Sequence, residues 1–164
     1  KNLSEKAQQL RNYGQSIRYH HPEIGMNSRL DEIQAAMLTE RLKWLGKFND
    51  RRRQIAQKYI EDIKNPLIKH LAKPQEQSAH VYHLFVLTSP YRERLTKYLY
   101  QAGIQSLIHY PVPIHLQRSC QSLKRDSAGL VSSETHAANC LSIPCHPQMK
   151  NVDVNHVICV LNNF

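Results

Sequence analysis

Apolar and polar positions alternate along this chain with two periods, and the periods mark its elements. Leu3, Ala7 and Leu10 recur at helical spacing, predicting a short helix from Lys1 to Tyr13 that stops at Gly14. Gln15 to Ile24 is polar and reads as a loop. Ser28 and Asp31 then stand as S-x-x-D, a capping-box-like pair, ahead of Leu30, Ile33, Met37 and Leu38 on one apolar face. This predicts a helix from Ser28 through Trp44 and Leu45, bent at Gly46. A further stretch carries Phe48, Ile55, Tyr59 and Ile63 and stops before Pro66. Lys64 to Ala79 has little pattern and reads as a connector.

His80 to Leu87 is rich in β-branched and aromatic residues and predicts a strand, turned by Ser89-Pro90. Tyr91 to Ala102 reads as a helix with Leu95, Tyr98 and Leu99 inward and Gly103 as its stop. Ile104 to Tyr110 alternates and predicts a second strand. Gln121 to Ser133 is polar and reads as a mobile connector, Glu134 to Asn139 as a short helix, and Leu141 to Pro144 as a third, short strand. Val154, Val157, Ile158 and Leu161 form one face of a last helix, Asn151 to Asn162. There is no internal repeat. The pattern predicts an α+β fold: a helical arm, then a small, mostly antiparallel sheet with packed helices. The expected division is residues 1–66 as linking helices and 67–164 as a small α+β domain.

With 164 residues, the chain is long enough for one domain with a real core. No apolar run is long enough to cross a bilayer and no signal-peptide pattern is present. The chain begins at Lys1 rather than at a methionine, so a fragment or a processed product is expected. Cys120, Cys140, Cys145 and Cys159 show no C-x-x-C spacing and read as reduced thiols of a cytoplasmic protein, with a Cys140–Cys145 disulfide as the alternative. His20-His21 has no evident third ligand, so no metal site is expected.

Charge narrows the partners. Twenty-two Lys and Arg against 13 Asp and Glu leave a net +9, which favours anions. Lys43, Lys47, Arg51, Arg52, Arg53 and Lys58 line one side of the helix before Pro66. A non-catalytic nucleotide- or nucleic-acid-binding module using Arg51–Arg53 is the alternative reading, although no aromatic ladder accompanies the run. Two sites stand out. Asn27 and Arg29 put an amide and a guanidinium beside a predicted helix start, where the dipole and free N–H groups also attract anions. His109, Tyr110, His115 and Gln117 sit on or beside a loop that Pro111 and Pro113 hold extended, which suits a binding loop at a strand end.

Six motifs occur in an order that resembles one family: Arg11-Asn12-Tyr13-Gly14, Gly25 through Ala36, Tyr82-His83-Leu84-Phe85, Gly103-Ile104, His109-Tyr110-Pro111-Val112-Pro113 and Leu141-Ser142-Ile143-Pro144. Over nearly all its length the chain is similar to the C-terminal part of the pyridoxal-phosphate-dependent nucleotide-sugar aminotransferases, the DegT/DnrJ/EryC1/StrS group. Ser106 to Pro111 looks most like members that aminate the 3-keto carbon of a dTDP-linked 6-deoxysugar.

The resemblance implies a fold-type I aminotransferase working as a homodimer, moving an amino group from glutamate to a nucleotide-linked keto sugar, as in deoxysugar or O-antigen biosynthesis. It implies that Asn27 reaches the cofactor phosphate of the other subunit and that Arg29 lies near it, a candidate for the donor's carboxylate. It implies that His109 and Tyr110 lie near the nucleotide-sugar. In the family the cofactor is held mainly by an N-terminal domain, on a lysine in a Gly-rich segment. Lys1-Asn2-Leu3 matches that context in letters. It stands only ten residues before Arg11, however, where relatives have a Gly-rich loop and a strand between. No catalytic residue is therefore assigned, and the 164 residues alone are expected to be inactive. Ile114 replaces a proline frequent in near relatives, and Gly129 to Glu134 replaces a Phe-Pro-type segment.

Overall fold

The computed structural model describes residues 2–120, 122–123 and 126–164. The chain divides into two compact units, Lys1–Leu45 and Gly46–Phe164, whereas the sequence pattern places the boundary at 66. The reason lies in the helix before Pro66. Ile55, Ala56, Tyr59 and Ile63 are buried in the core of the second unit, so that helix packs with the sheet.

The first unit contains α1 (Asn2–Leu10) and α2 (Glu32–Leu42). α2 begins four residues later than the expected start at Ser28, and the Ser28–Asp31 cap does not form. Asp31 is extended and its side chain makes no capping hydrogen bond. The cause is a competing pairing. Met26 N–H donates to the Leu10 carbonyl, Tyr13 N–H to Met26 and Ser28 N–H to Arg11, at 2.9–3.0 Å, so this backbone is held extended. Leu30, Ile33, Met37 and Leu38 keep their helical spacing, yet all four are more than half exposed. Among the described residues of the first unit no apolar side chain is buried. α2 ends in a tightened turn, Trp44 N–H to the Arg41 carbonyl, and α3 (Leu45–Asp62) starts at once. Gly46, expected as a bend, lies inside α3.

The second unit is built on a three-stranded antiparallel sheet in the order β1 (Lys69–His70), β2 (Phe85–Thr88), β3 (Cys140–Ile143). Phe85 pairs with Ile143 and Leu87 with Leu141, and these four side chains face the core. β1 falls in the stretch expected to be a featureless connector. β2 is shorter than the expected strand from His80. Tyr82 has φ +47° and donates its N–H to His80 Nδ1, which turns the chain before Phe85. The expected strand from Ile104 to Tyr110 is reduced to a single bridge between Leu107 and Ser142. Its alternation still buries Ile104, but Pro111 and Pro113 have no N–H with which to extend a ladder. α4 (Arg92–Gln101) buries Leu95 and Leu99 and ends at Gly103, whose φ of +76° suits glycine. α5 (Val131–Asn139) starts three residues early, and α6 (Asn151–Asn162) buries Val154, Val157, Ile158 and Leu161 as its period requires. The polar stretch 121–133 includes Gln121, Lys124 and Arg125, which lie outside the described residues, as does Lys1.

The Arg51–Arg53 run is taken up by intramolecular bonds. Arg51 donates to the Met149 carbonyl and to Asn151 Oδ1, Arg52 to Asn49 Oδ1, and Arg53 to Asp50 and to the carbonyls of Ser78 and His80. Among the described residues the cysteines are free, and no helix is long and apolar enough to cross a membrane.

Tyr59 and Cys145 are buried in neutral form. Tyr59 donates its O–H to the Pro144 carbonyl at 2.8 Å, and burial holds its phenol well above the usual range. Burial also pushes the Cys145 thiol up to about 11 from an ordinary 9.0. The folded state binds these protons more tightly than the unfolded chain does. The stability they contribute is therefore whole below about pH 9 and is lost as pH rises toward 11. Urea unfolding of the chain across this window is expected to show falling stability, with the slope reduced in Cys145→Ala. A pH-independent midpoint would contradict it.

Candidate functional site

The first candidate site is built by two glycines. Gly14 has φ +71°, and a Cβ on it would overlap the Glu23 carbonyl. A Cβ on Gly25 would overlap the backbone of Gly14, Leu10 and Tyr13. Only two glycines allow the chain leaving α1 and the chain entering 26–29 to touch, backbone on backbone. Polar contacts then fasten the segment. Arg11 Nε donates to the Ser28 carbonyl at 2.8 Å, and Gln9 donates to the Gly14 carbonyl at 3.1 Å. Arg29 donates to Asn12 Oδ1 at 2.6 Å and lies over the Tyr13 ring, 5.2 Å from its centroid. The Arg11-Asn12-Tyr13-Gly14 motif is thus the clamp that holds Gly25 to Arg29.

Asn27 is exposed on this strap, and its amide makes no hydrogen bond to a described residue. An uncommitted amide two residues from a fastened guanidinium is a donor set that suits a phosphate or a carboxylate. The helix dipole does not assist as expected, since α2 starts at Glu32 with Asp31 and Glu32 at its positive end.

The second candidate site is an open cavity of about 700 Å³ in the second unit, bounded by the loop at 109–115 and by α5. His109, Tyr110 and His115 line it. His109 is half-buried, its Nδ1 2.9 Å from Ser142 Oγ, while Tyr110 is 72% exposed. Their rings meet edge to face, 5.4 Å apart. His115 Nε2 is 2.9 Å from Glu134 Oε1. An ionised carboxylate only accepts, so His115 Nε2–H is the donor and its ring is oriented from α5. Gln117 is not part of the lining. Its amide donates to the Val112 carbonyl at 3.4 Å and braces the loop from behind.

Ser142, Glu134 and His136 brace or line this cavity, and no sequence motif points to these roles, although Ser142 lies within the Leu141–Pro144 motif. Ser142 had one signal, a polar residue in a strand whose four positions are all buried. Of the histidines at 20 and 21, His21 has its Nδ1 3.0 Å from the Tyr13 carbonyl oxygen, and among the described residues no group of three or more metal-ligating side chains occurs.

A family model, the DegT/DnrJ/EryC1/StrS aminotransferase family, matches residues 1–162. Among curated proteins, the dTDP-3-amino-3,6-dideoxy-alpha-D-galactopyranose transaminase of Aneurinibacillus thermoaerophilus is 41% identical over 99% of this chain and 44% of its own length. The dTDP-3-amino-3,4,6-trideoxy-alpha-D-glucose transaminase of Streptomyces venezuelae is 35% identical over 95% of this chain and 41% of its own. Among solved structures, S. venezuelae DesV in complex with a ketimine intermediate superposes with a TM-score of 0.87 at 35% identity, covering 98% of this chain and 43% of DesV. A Brucella abortus aminotransferase of the family superposes at 0.90 with 31% identity, covering 99% and 43%. The chain spans less than half the length of these relatives. A match over nearly all its residues, in sequence and in fold, establishes that the chain belongs to the DegT/DnrJ/EryC1/StrS aminotransferase family.

Proposed function

We propose that this chain is the C-terminal part of a cytoplasmic, homodimeric, pyridoxal-phosphate-dependent transaminase that moves an amino group from glutamate to a nucleotide-linked keto sugar. The observation that carries this reading is the 41% identity, over 99% of the chain, to a dTDP-sugar transaminase. Both candidate sites lie inside the matched region. The lysine that holds the cofactor belongs, in this proposal, to a segment outside the 164 residues, and the chain alone does not catalyse. The exposed apolar side chains of the first unit, Ile33 at 76% and Met37 at 62% among them, support a partner surface there.

The residues present fit the cofactor's anion. Asn27 and Arg29 offer an amide and a guanidinium on a fastened strap, and they serve the phosphate and the glutamate carboxylate. When bound, the pyridoxal ring supplies the electron sink for moving the amino group. His109, Tyr110 and His115 present ring donors in a cavity of a size suited to a small ligand, and they orient the nucleotide-linked sugar, with Gln117 bracing the loop. The test is absorbance of the full-length protein with pyridoxal phosphate. A bound-cofactor band is expected. Asn27→Ala should weaken cofactor retention roughly tenfold or more, the effect of losing one hydrogen bond to a charged group. Absence of a bound-cofactor band in the wild type, or unchanged retention in the variant, contradicts the proposal.

A further inference from the structure

Ser142 is one of two buried polar residues in the cores described, at 5% exposure, and its surroundings account for each of its groups. Its N–H donates to the Leu107 carbonyl at 2.7 Å and its carbonyl accepts from Leu107 N–H at 3.0 Å, which closes the one bridge linking the 104–110 segment to β3. That leaves the hydroxyl. Among the described residues its one hydrogen-bond partner is His109 Nδ1, at 2.9 Å.

Two arrangements fit this distance. In one, Nδ1–H donates to Oγ, and the hydroxyl hydrogen then has no acceptor in a buried place. In the other, Oγ–H donates to Nδ1, and both groups are satisfied. An unpartnered buried donor is the costlier state, so the second arrangement prevails. A neutral imidazole whose Nδ1 accepts carries its hydrogen on Nε2. With Nδ1 turned to Ser142, Nε2 is the nitrogen left for the cavity that His109 lines.

We infer that Ser142 is a positioning residue that holds His109 in the Nε2–H tautomer, so that His109 offers the cavity a hydrogen-bond donor and selects an acceptor oxygen on the ligand. The meaning of that donor for a nucleotide-linked sugar rests on the proposed function; the tautomer itself does not. His115 is held in the complementary sense. Its Nε2–H is spent on Glu134, so in the neutral ring Nδ1 remains as an acceptor. The two histidines are therefore not equivalent: one gives a hydrogen bond and the other can receive one.

The test is long-range proton–nitrogen NMR of the histidine rings in the chain, at a pH where they are neutral, with the His109 signals assigned by their loss in His109→Gln. The wild type is expected to show an unprotonated Nδ1 and a protonated Nε2. In Ser142→Ala the tautomer ratio is expected to fall roughly two- to tenfold, the factor equivalent to one neutral hydrogen bond. Ser142→Thr, which keeps the hydroxyl, should restore it. A protonated Nδ1 in the wild type overturns the inference without need of any variant, and so does an unchanged ratio in Ser142→Ala. The measurement uses no cofactor and no sugar, so it stands or falls apart from the transaminase reading.

Discussion

Gly25→Ala is expected to dismantle the strap that carries Asn27 and Arg29 while leaving the second unit intact. The added methyl group meets backbone on three sides, from Leu10, Tyr13 and Gly14, and none of these can move aside as a flexible side chain could. Relief requires separating the two chain segments, which breaks the bonds from Met26 N–H to Leu10, Tyr13 N–H to Met26 and Ser28 N–H to Arg11. Overpacking of this kind costs about 1–3 kcal/mol, and the loss of the accompanying pairing puts this site at or beyond the upper end. Amide hydrogen exchange on the chain reads it directly. Protection at Tyr13, Met26 and Ser28 should drop by about two orders of magnitude, with the amides of α4, β3 and α6 unchanged. In the full-length protein the same substitution should weaken cofactor retention at least as much as Asn27→Ala. Undisturbed protection at Ser28 would mean that the glycine contact does not hold the strap.

The sequence pattern is most informative where local and tertiary preferences coincide. α6 is read correctly to the residue because its four apolar positions repeat at helical spacing and all four enter the core. β3 is read within a residue, since its short apolar run is bounded by Pro144 and buried throughout. The start of α2 is misplaced for the opposite reason. Ser28 and Asp31 make a sound local cap, but the Ser28 N–H is already bonded to Arg11, seventeen residues away, and no periodicity carries that information. β1 is two residues long and exists only through pairing with β2, so Lys69-His70 has no pattern to display. Ile104 to Tyr110 alternates as a strand does, but the prolines beyond it limit the pairing to Leu107.

The candidate sites divide along the same line. His109, Tyr110 and His115, which line the cavity, stand out in sequence because rings cluster around Pro111 and Pro113, and stiff polar loops favour binding. Gln117 shares that stretch, yet its amide turns back to the Val112 carbonyl, a contact set by the 3-10 turn over Ile114–Leu116. Ser142 and Glu134 become visible only when β3 and α5 bring them to histidines 33 and 19 residues away. Similarly, Arg51, Arg52 and Arg53 read as a basic face in sequence, and the fold gives each of them acceptors of its own.

In the proposed enzyme the cavity beside His109 receives the nucleotide-linked sugar while the Asn27 strap serves the cofactor and the amino donor. Stopped-flow absorbance of the full-length protein separates these roles, because loading of the cofactor by glutamate and delivery of the amino group to the sugar are recorded independently. His109→Ala removes a ring donor from the cavity without touching the strap. Delivery to the sugar is expected to slow roughly two- to tenfold, which corresponds to the loss of one neutral hydrogen bond of about 0.5–1.5 kcal/mol, and loading by glutamate is expected to stay unchanged. Equal damage to both half-reactions, or to neither, would contradict this division of roles and mark the loop at 109–117 as structural.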